Sequence, residues 1–285
     1  MKYLYFSPLY FAALIIIALG MCQRSEAQVG VSNILFNFKA SERPIQNVVV
    51  TNSATSPVYV SVAVEEIVDP RTNPLTVTPS EDVLVSPKNF SIEARGQRTV
   101  RLLVRKPSTD VERAYRVYFI PQDRGDSAEG YEHTVAGRTA VIKVATGMGI
   151  LVFVEPKVPQ PSLQWVRTST GIDFVNNGNI QVYLGDGNSC PPGVEPPPIS
   201  SREQSAQDNH RGCVALPSKR IYAGTSFSAQ LSPDRAAVWL KKIGGGGEYE
   251  KLIIPPYQSS EGTPLQGDAA KLPTPVPTST SSQSE

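Results

Sequence analysis

The sequence predicts an all-β chain, an immunoglobulin-like β-sandwich followed by a second β-rich unit. Three observations carry this. Residues 29–154 alternate apolar and polar side chains with period two, and no long stretch repeats at 3.6 residues. About seven such strands follow one another with Pro, Gly, Asn and Ser between them, the spacing of a sandwich. The Pro-rich EPKVPQP (155–161) then interrupts as a short stiff linker, and alternation resumes.

The elements can be justified in order. Residues 1–27 read as a secretory signal peptide: Lys2 gives a positive start, FAALIIIALG (11–20) is an apolar run, and Ser25-Glu26-Ala27 supplies a cleavage site. The apolar run is shorter than the ~18–20 residues of a spanning helix, so stable membrane insertion is not expected. Cys22 raises a rival reading as a lipid-anchored cysteine. Met21 stands where a small residue is usual, which ranks that reading second. From 28 to 155 the strand candidates are VGVSNILFNF (29–38), QNVVVTN (46–52), VYVSVAVEEIV (58–68), FSIEA (90–94), RTVRLLVR (98–105), AYRVYFI (114–120) and TAVIKVATGMGILVFVEP (139–156). The polar QDRGDSAEGYEHTVAGR (122–138) reads as a long hairpin loop. From 156 to 256 the candidates are LQWVRT, GIDFVN, IQVYLGD, KRIYA, SFSAQL, AAVWLKK and EKLIIP, with Asn176-Asn177-Gly178-Asn179 as a turn and Gly244–Gly247 as a hairpin loop. Residues 257–285 are Ser, Thr, Pro and Gln with hardly any large apolar side chain, the composition of a disordered tail.

Composition excludes several functions. Lys and Arg number 27 against 26 Asp and Glu, and loss of the leader keeps the balance, so no basic field marks a nucleic-acid binder. Two histidines, His133 and His210, both fall in presumed loops, and no GxSxG, HExxH or phosphate-cradling glycine loop is present. An enzyme is not expected, nor a cofactor. Cys190 and Cys213 remain after the leader. Export to an oxidising compartment favours a disulfide between them, worth roughly 3 kcal/mol, and two cysteines with one nearby histidine lack the close spacing of a metal site.

The stretch 139–156 has more apolar surface than one domain needs. Ile142, Val144, Met148, Ile150, Val152 and Val154 share one parity, while Val141, Ala145, Leu151 and Phe153 share the other. Both faces want cover. Gly147 and Gly149 allow a bulge between them, so the residues leave open which parity meets a partner.

The order of these segments resembles a known family. ILFNF, then NVVVTNS with VYVSVAVEE, then LVSPKNFSIEARGQRTVRLLVR, AYRVYFIPQ and TAVIKVATGMGILVFVEPK are similar to the periplasmic pilus-assembly chaperones of the chaperone–usher pathway. IDFVNNGNIQVYLGDGNSC, the later Cys213 and KRIYAGTSF resemble the alternative branch that serves CFA- and common-pilus-type fimbriae. The resemblance covers roughly 29–255 and implies two immunoglobulin-like β-sandwich domains in an L or boomerang arrangement. It implies a periplasmic protein that lends its long strand to incomplete pilin subunits and delivers them to an outer-membrane usher, a form of strand addition. The lent row is then Ile142, Val144, Met148, Ile150 and Val152. The family anchors the subunit's C-terminal carboxylate with two basic residues, and here the match fails. Asn33 stands at the first-strand position, and GILVFVEP carries no Lys or Arg. Arg116, a cation within the apolar AYRVYF, is the candidate anchor, with a structural ion pair as its plain alternative. Lys143 and Arg138 read as a solvated face and a loop charge. The competing class is a secreted immunoglobulin-like structural or adhesive pilus component. Against it, the presumed mature start enters a strand at once, leaving no donor extension.

Overall fold

The structure is a computed structural model, and it describes residues 29–107, 110–122, 131–135, 138–142, 146–194, 212–245 and 247–258. It is β throughout these residues, and two sandwiches lie on either side of the proline-rich 156–162 segment. In the first sandwich one sheet runs β1 (Val29–Val31), β3 (Ile45–Asn52), β8 (Gln97–Val104), β6 (Val83–Ser86). The facing sheet runs β2 (Leu35–Phe38), β12 (Met148–Val154), β9 (Arg113–Gln122), β4 (Val58–Asp69), β5 (Thr76–Pro79), with β7 (Asn89–Ile92) also on β4. Period-two alternation turns one row of each strand inward. Phe36, Val48, Val50, Val62, Val100, Leu102, Tyr115, Val117 and Phe119 meet between the sheets and are buried. Each such side chain contributes ~1.5–3 kcal/mol of burial.

The expected single strand 29–38 is two strands. β1 pairs antiparallel with β3, and β2 pairs parallel with β12 in the other sheet. Ser32–Ile34 make the crossing. The Ser32 amide donates to Val49 O, the Val49 amide donates to Ser32 Oγ, and the Leu35 amide donates to Asn33 Oδ1 at 3.2 Å. Those side-chain bonds satisfy backbone groups that the ladder releases. A second departure lies in the expected loop 122–138. Tyr131–Val135 forms β10 and pairs antiparallel with β11 (Arg138–Ile142).

The second sandwich packs β13 (Leu163–Arg167), β14 (Gly171–Asn176) and β18 (Ser226–Gln230) against a sheet ordered β16 (Val214–Leu216), β15 (Val182–Cys190), β19 (Ala236–Ile243), β20 (Tyr249–Ile254), with β17 (Lys219–Ile221) also on β15. Its core gathers around Trp239, which meets Phe174 edge-on at 5.3 Å, while Phe227 stacks on Phe174 at 6.1 Å. β15 bulges between Gly185 and Asn188, with Asp186 at a φ of 46°. Gly187 lies against the Trp239 indole, where a Cβ would collide. The Cys190–Cys213 disulfide is formed, with the Cα atoms 4.2 Å apart. β19 and β20 pair antiparallel on either side of the glycine run, as a hairpin there requires. Gly245 abuts the Asn37 side chain of the first sandwich, so a larger residue there requires that side chain to move.

Candidate functional site

The long apolar stretch is not one strand. Arg138–Ile142 is β11, Met148–Val154 is β12, and 143–145 lie outside the described residues. β12 is held from both sides over its second half. Residues 148–154 pair with β9 from Phe119 to Arg113, and Leu151–Val154 pair with Leu35–Phe38 of β2. Met148, Gly149 and Ile150 have no partner strand on the β2 side among the described residues, and β11 pairs only with β10. Among the described residues a backbone edge is therefore open along 138–142 and again along 148–150, and it closes at Leu151.

Burial divides the row assigned to a partner. Ile150 is 1% exposed and Val152 0%, and both belong to the core of this chain's own first sandwich. These two side chains of the expected row thus pack between this chain's own sheets. Met148 is half-buried at the start of β12. Ile142 ends β11, where the backbone alone is described, and Val144 lies outside the described residues.

The opposite parity of β12 builds the junction between the sandwiches. Phe153 is fully buried beside Ile67, Ala114, Leu35 and Tyr222. The Arg220 guanidinium lies over the Phe153 ring at 4.9 Å and over the Tyr183 ring at 5.2 Å. Arg220 donates to Gln181 Oε1, and the Gln181 amide donates to Glu112 Oε2 at 3.0 Å. Burial pushes the Glu112 carboxyl up to about 8, helped by nearby Glu155 and opposed by that amide and by Arg220. Burial also raises Glu155, whose carboxylate the Gly245 amide favours. Burial raises the Tyr222 hydroxyl, while Arg220 and Arg116 both act to lower it.

Two arginines of β9 behave differently because their faces differ. Arg113 donates to Glu66 at 2.9 Å and to Asp82, and it lies over the Tyr115 ring at 5.3 Å. It is the structural ion pair, tying β4 and β9 to the segment before β6. Arg116 points to the other side, beside Leu151 of β12 and Glu65 of β4 in the ladder. Its described contact is with Tyr118 Oη at 3.4 Å, and among the described residues it forms no ion pair. Asn33 is exposed in the crossing turn, its Oδ1 already accepting the Leu35 amide. The structure thus puts Arg116 next to the junction and leaves Asn33 in a turn. Arg220, Tyr222 and Glu112 complete this place, and the sequence reading missed them. The signal that marked Arg116, a cation inside an apolar strand, is equally present for Arg220 in KRIYA.

The profile of the pili and flagellar-assembly chaperone family, PapD N-terminal domain, matches residues 28–159. Residues 28–159 are thus similar to the N-terminal domain of the pilus-assembly chaperones. The matched span contains β1 to β12 and ends inside the linker. Comparison with curated proteins by sequence finds no match. Among solved structures, the class 5 fimbriae chaperone CfaA superposes with a TM-score of 0.53 at 18% identity, over 81% of this chain and 99% of its own. The SafB chaperone of Salmonella enterica, solved with the SafA pilin, gives 0.53 at 14% identity over 82% and 98%. The E. coli chaperone DraB gives 0.50 at 13% over 80% and 98%. At these identities the likeness establishes the two-sandwich fold over both halves. Among the described residues no helix is long and apolar enough to cross a membrane, and no His, Cys, Asp and Glu cluster suits a metal.

Proposed function

We propose that this chain is a periplasmic chaperone that holds incomplete pilin subunits by adding its own strand to theirs and passes them to an outer-membrane usher. In this reading 1–27 is the export signal, 28–155 the domain that lends the strand, 156–256 the second sandwich and 257–285 a tail. The work is binding, not catalysis. The observation that carries the reading is the open backbone edge at 138–142 and 148–150, running without interruption of chain into a segment clamped between β2 and β9. Ordinary proteins cover or charge such an apolar edge because it templates association, and a strand-lending chaperone needs it. The side chains offered are those of Ile142, Val144 and Met148.

Arg116 is the proposed anchor for the subunit's terminal carboxylate. Its support is a cation at the junction with no carboxylate partner among the described residues, and Arg220 adds a second positive charge nearby. Asn33 is the lesser candidate, since one of its polar groups is already used.

The test is co-expression with a pilin subunit encoded beside it in the genome. Ile142→Asp and Val144→Asp should leave the protein folded and exported while the pilin becomes protease-sensitive. Arg116→Glu should weaken the complex at least about tenfold, ~1.4 kcal/mol. Full protection of the pilin by both aspartate variants would overturn the lent strand. Unfolding of Arg116→Glu alone would assign that arginine a structural role.

A further inference from the structure

The sheet opposite the lent strand carries a surface that the chaperone reading does not use. Alternation on β8 turns Leu102 and Val104 inward and Leu103 outward. The register sets Leu103 directly between Ile45 of β3 and Leu84 of β6. Ile45 and Leu84 are each 45% exposed. Three large aliphatic side chains therefore stand in one line across three adjacent strands, on the outer face of the sheet. Scattered exposed apolar residues need no account, but a contiguous row does.

The surroundings of the row are cationic. One step along the strands, Arg101 lies between Asn47 and Ser86, and these three with Thr99 line a shallow hollow. At the other end Arg105 follows Leu103 by two residues and Arg43 precedes Ile45 by two, both exposed. The carboxylates of this end are mostly engaged: Glu42 pairs with Lys39 at 3.2 Å and Asp82 pairs with Arg113, while Glu81 stands exposed ahead of β6. Arg43, Arg101 and Arg105 form no ion pair among the described residues. An apolar row bracketed by guanidiniums complements a segment that alternates apolar and acidic side chains, with Arg101 and its polar neighbours receiving a carboxylate.

We propose that this outer face is a second docking surface, and that its occupant is an acidic protein segment with aliphatic anchors, supplied by a partner other than the lent-strand subunit. The two surfaces belong to different sheets, so the face can be engaged while the strand is lent.

The test uses isotope-labelled full-length mature protein and a defined probe, an acetylated, amidated peptide of alternating Asp and Leu, eight residues long. Amide shifts should change on β3, β6 and β8 around Ile45, Leu84, Arg101 and Leu103. Binding should weaken about tenfold in Arg101→Glu and in Leu84→Ser, and should fall as salt shortens the screening length. Both side chains point outward, so thermal unfolding of the variants should match the parent, and Ile45→Ser serves in place of any that does not. No binding at millimolar peptide, shifts confined to other surfaces, or equal binding of the Lys–Leu counterpart would overturn the proposal. So would self-association through this face in sedimentation, which would make the occupant a second copy.

Discussion

The two sandwiches close one turn with the same device. Asn52 ends β3 and Asn176 ends β14, and both are buried. The Oδ1 of each accepts an amide two residues on, from Ala54 and from Gly178. The Nδ2 of each donates to the carbonyl four residues on, Ser56 and Ile180, and then across the sandwich, to Ile92 and Glu93 in one case and Ile221 in the other. A single amide thus ties a turn to a distant strand twice in the same chain. What differs is how each unit completes its core. The first closes on β12, a strand that arrives late in sequence and is clamped by β2 and β9. The second closes on Trp239 and a disulfide. The first unit ends in a strand whose beginning has no second partner strand among the described residues, whereas the second is cross-linked.

The comparison breaks most sharply along the stretch 138–154 itself. Val152→Asp places a carboxylate between the sheets of the first unit, and the expected loss is of order 4 kcal/mol or more, read as failure to fold in denaturant titration. Ile142→Asp should change stability by less than about 0.5 kcal/mol while abolishing pilin protection. Equal destabilisation by the two would erase the division between a clamped and an open half. The next largest effect belongs to the second unit. Cys190→Ser with Cys213→Ser opens a loop that spans a sequence separation of 23, and about 3 kcal/mol should disappear from the unfolding of that unit. The first unit's transition should not move, and calorimetry separates the two.

The shared device makes a finer test. Asn52→Ala and Asn176→Ala each strand buried carbonyls, and each should cost about 2 kcal/mol. Similar values would establish one closure mechanism in both units. A loss much smaller for Asn176 would mean that the disulfide already holds the second unit's turn side.

Most strands were legible, because alternation on a half-buried sheet is written residue by residue. The crossing at Ser32–Ile34 was not, since the alternation runs on through it and only the pairing changes. β10 was hidden in a polar segment, because a two-stranded hairpin outside the sandwich needs no apolar row. Arg116 stood out as a lone cation in an apolar strand. Its neighbour Arg113, just ahead of the strand read at 114–120, was not singled out, yet it is the one with carboxylate partners. The burial of Ile150 and Val152 in this chain's own core was not legible, because both parities are apolar and the sequence alone contains no statement of which sheet faces which row. Glu112 was illegible for another reason. Its burial is made by Gln181, 69 residues away, docking from the other unit.

That junction gives the smallest and most specific effect. The Glu112 carboxyl titrates at about 8 when folded, against an ordinary 4.5, because burial disfavours its charge. The folded state therefore binds the proton more tightly than the unfolded state. Its contribution to stability is complete below the ordinary carboxylate value and is lost as pH rises through about 8. Stability should accordingly rise on going from pH 8 to pH 5, in the direction opposite to a salt-bridged carboxylate. Relaxation of the junction and the Arg220 charge nearby limit the expected change to ~1 kcal/mol. Glu155 is displaced the same way by burial, so the clean comparison is among Glu112→Gln, Glu155→Gln and the pair. Glu112→Gln keeps an acceptor for the Gln181 amide and should flatten most of the pH slope, with the pair flattening it further. A slope unchanged in Glu112→Gln would mean that the two sandwiches meet without burying that carboxyl in solution.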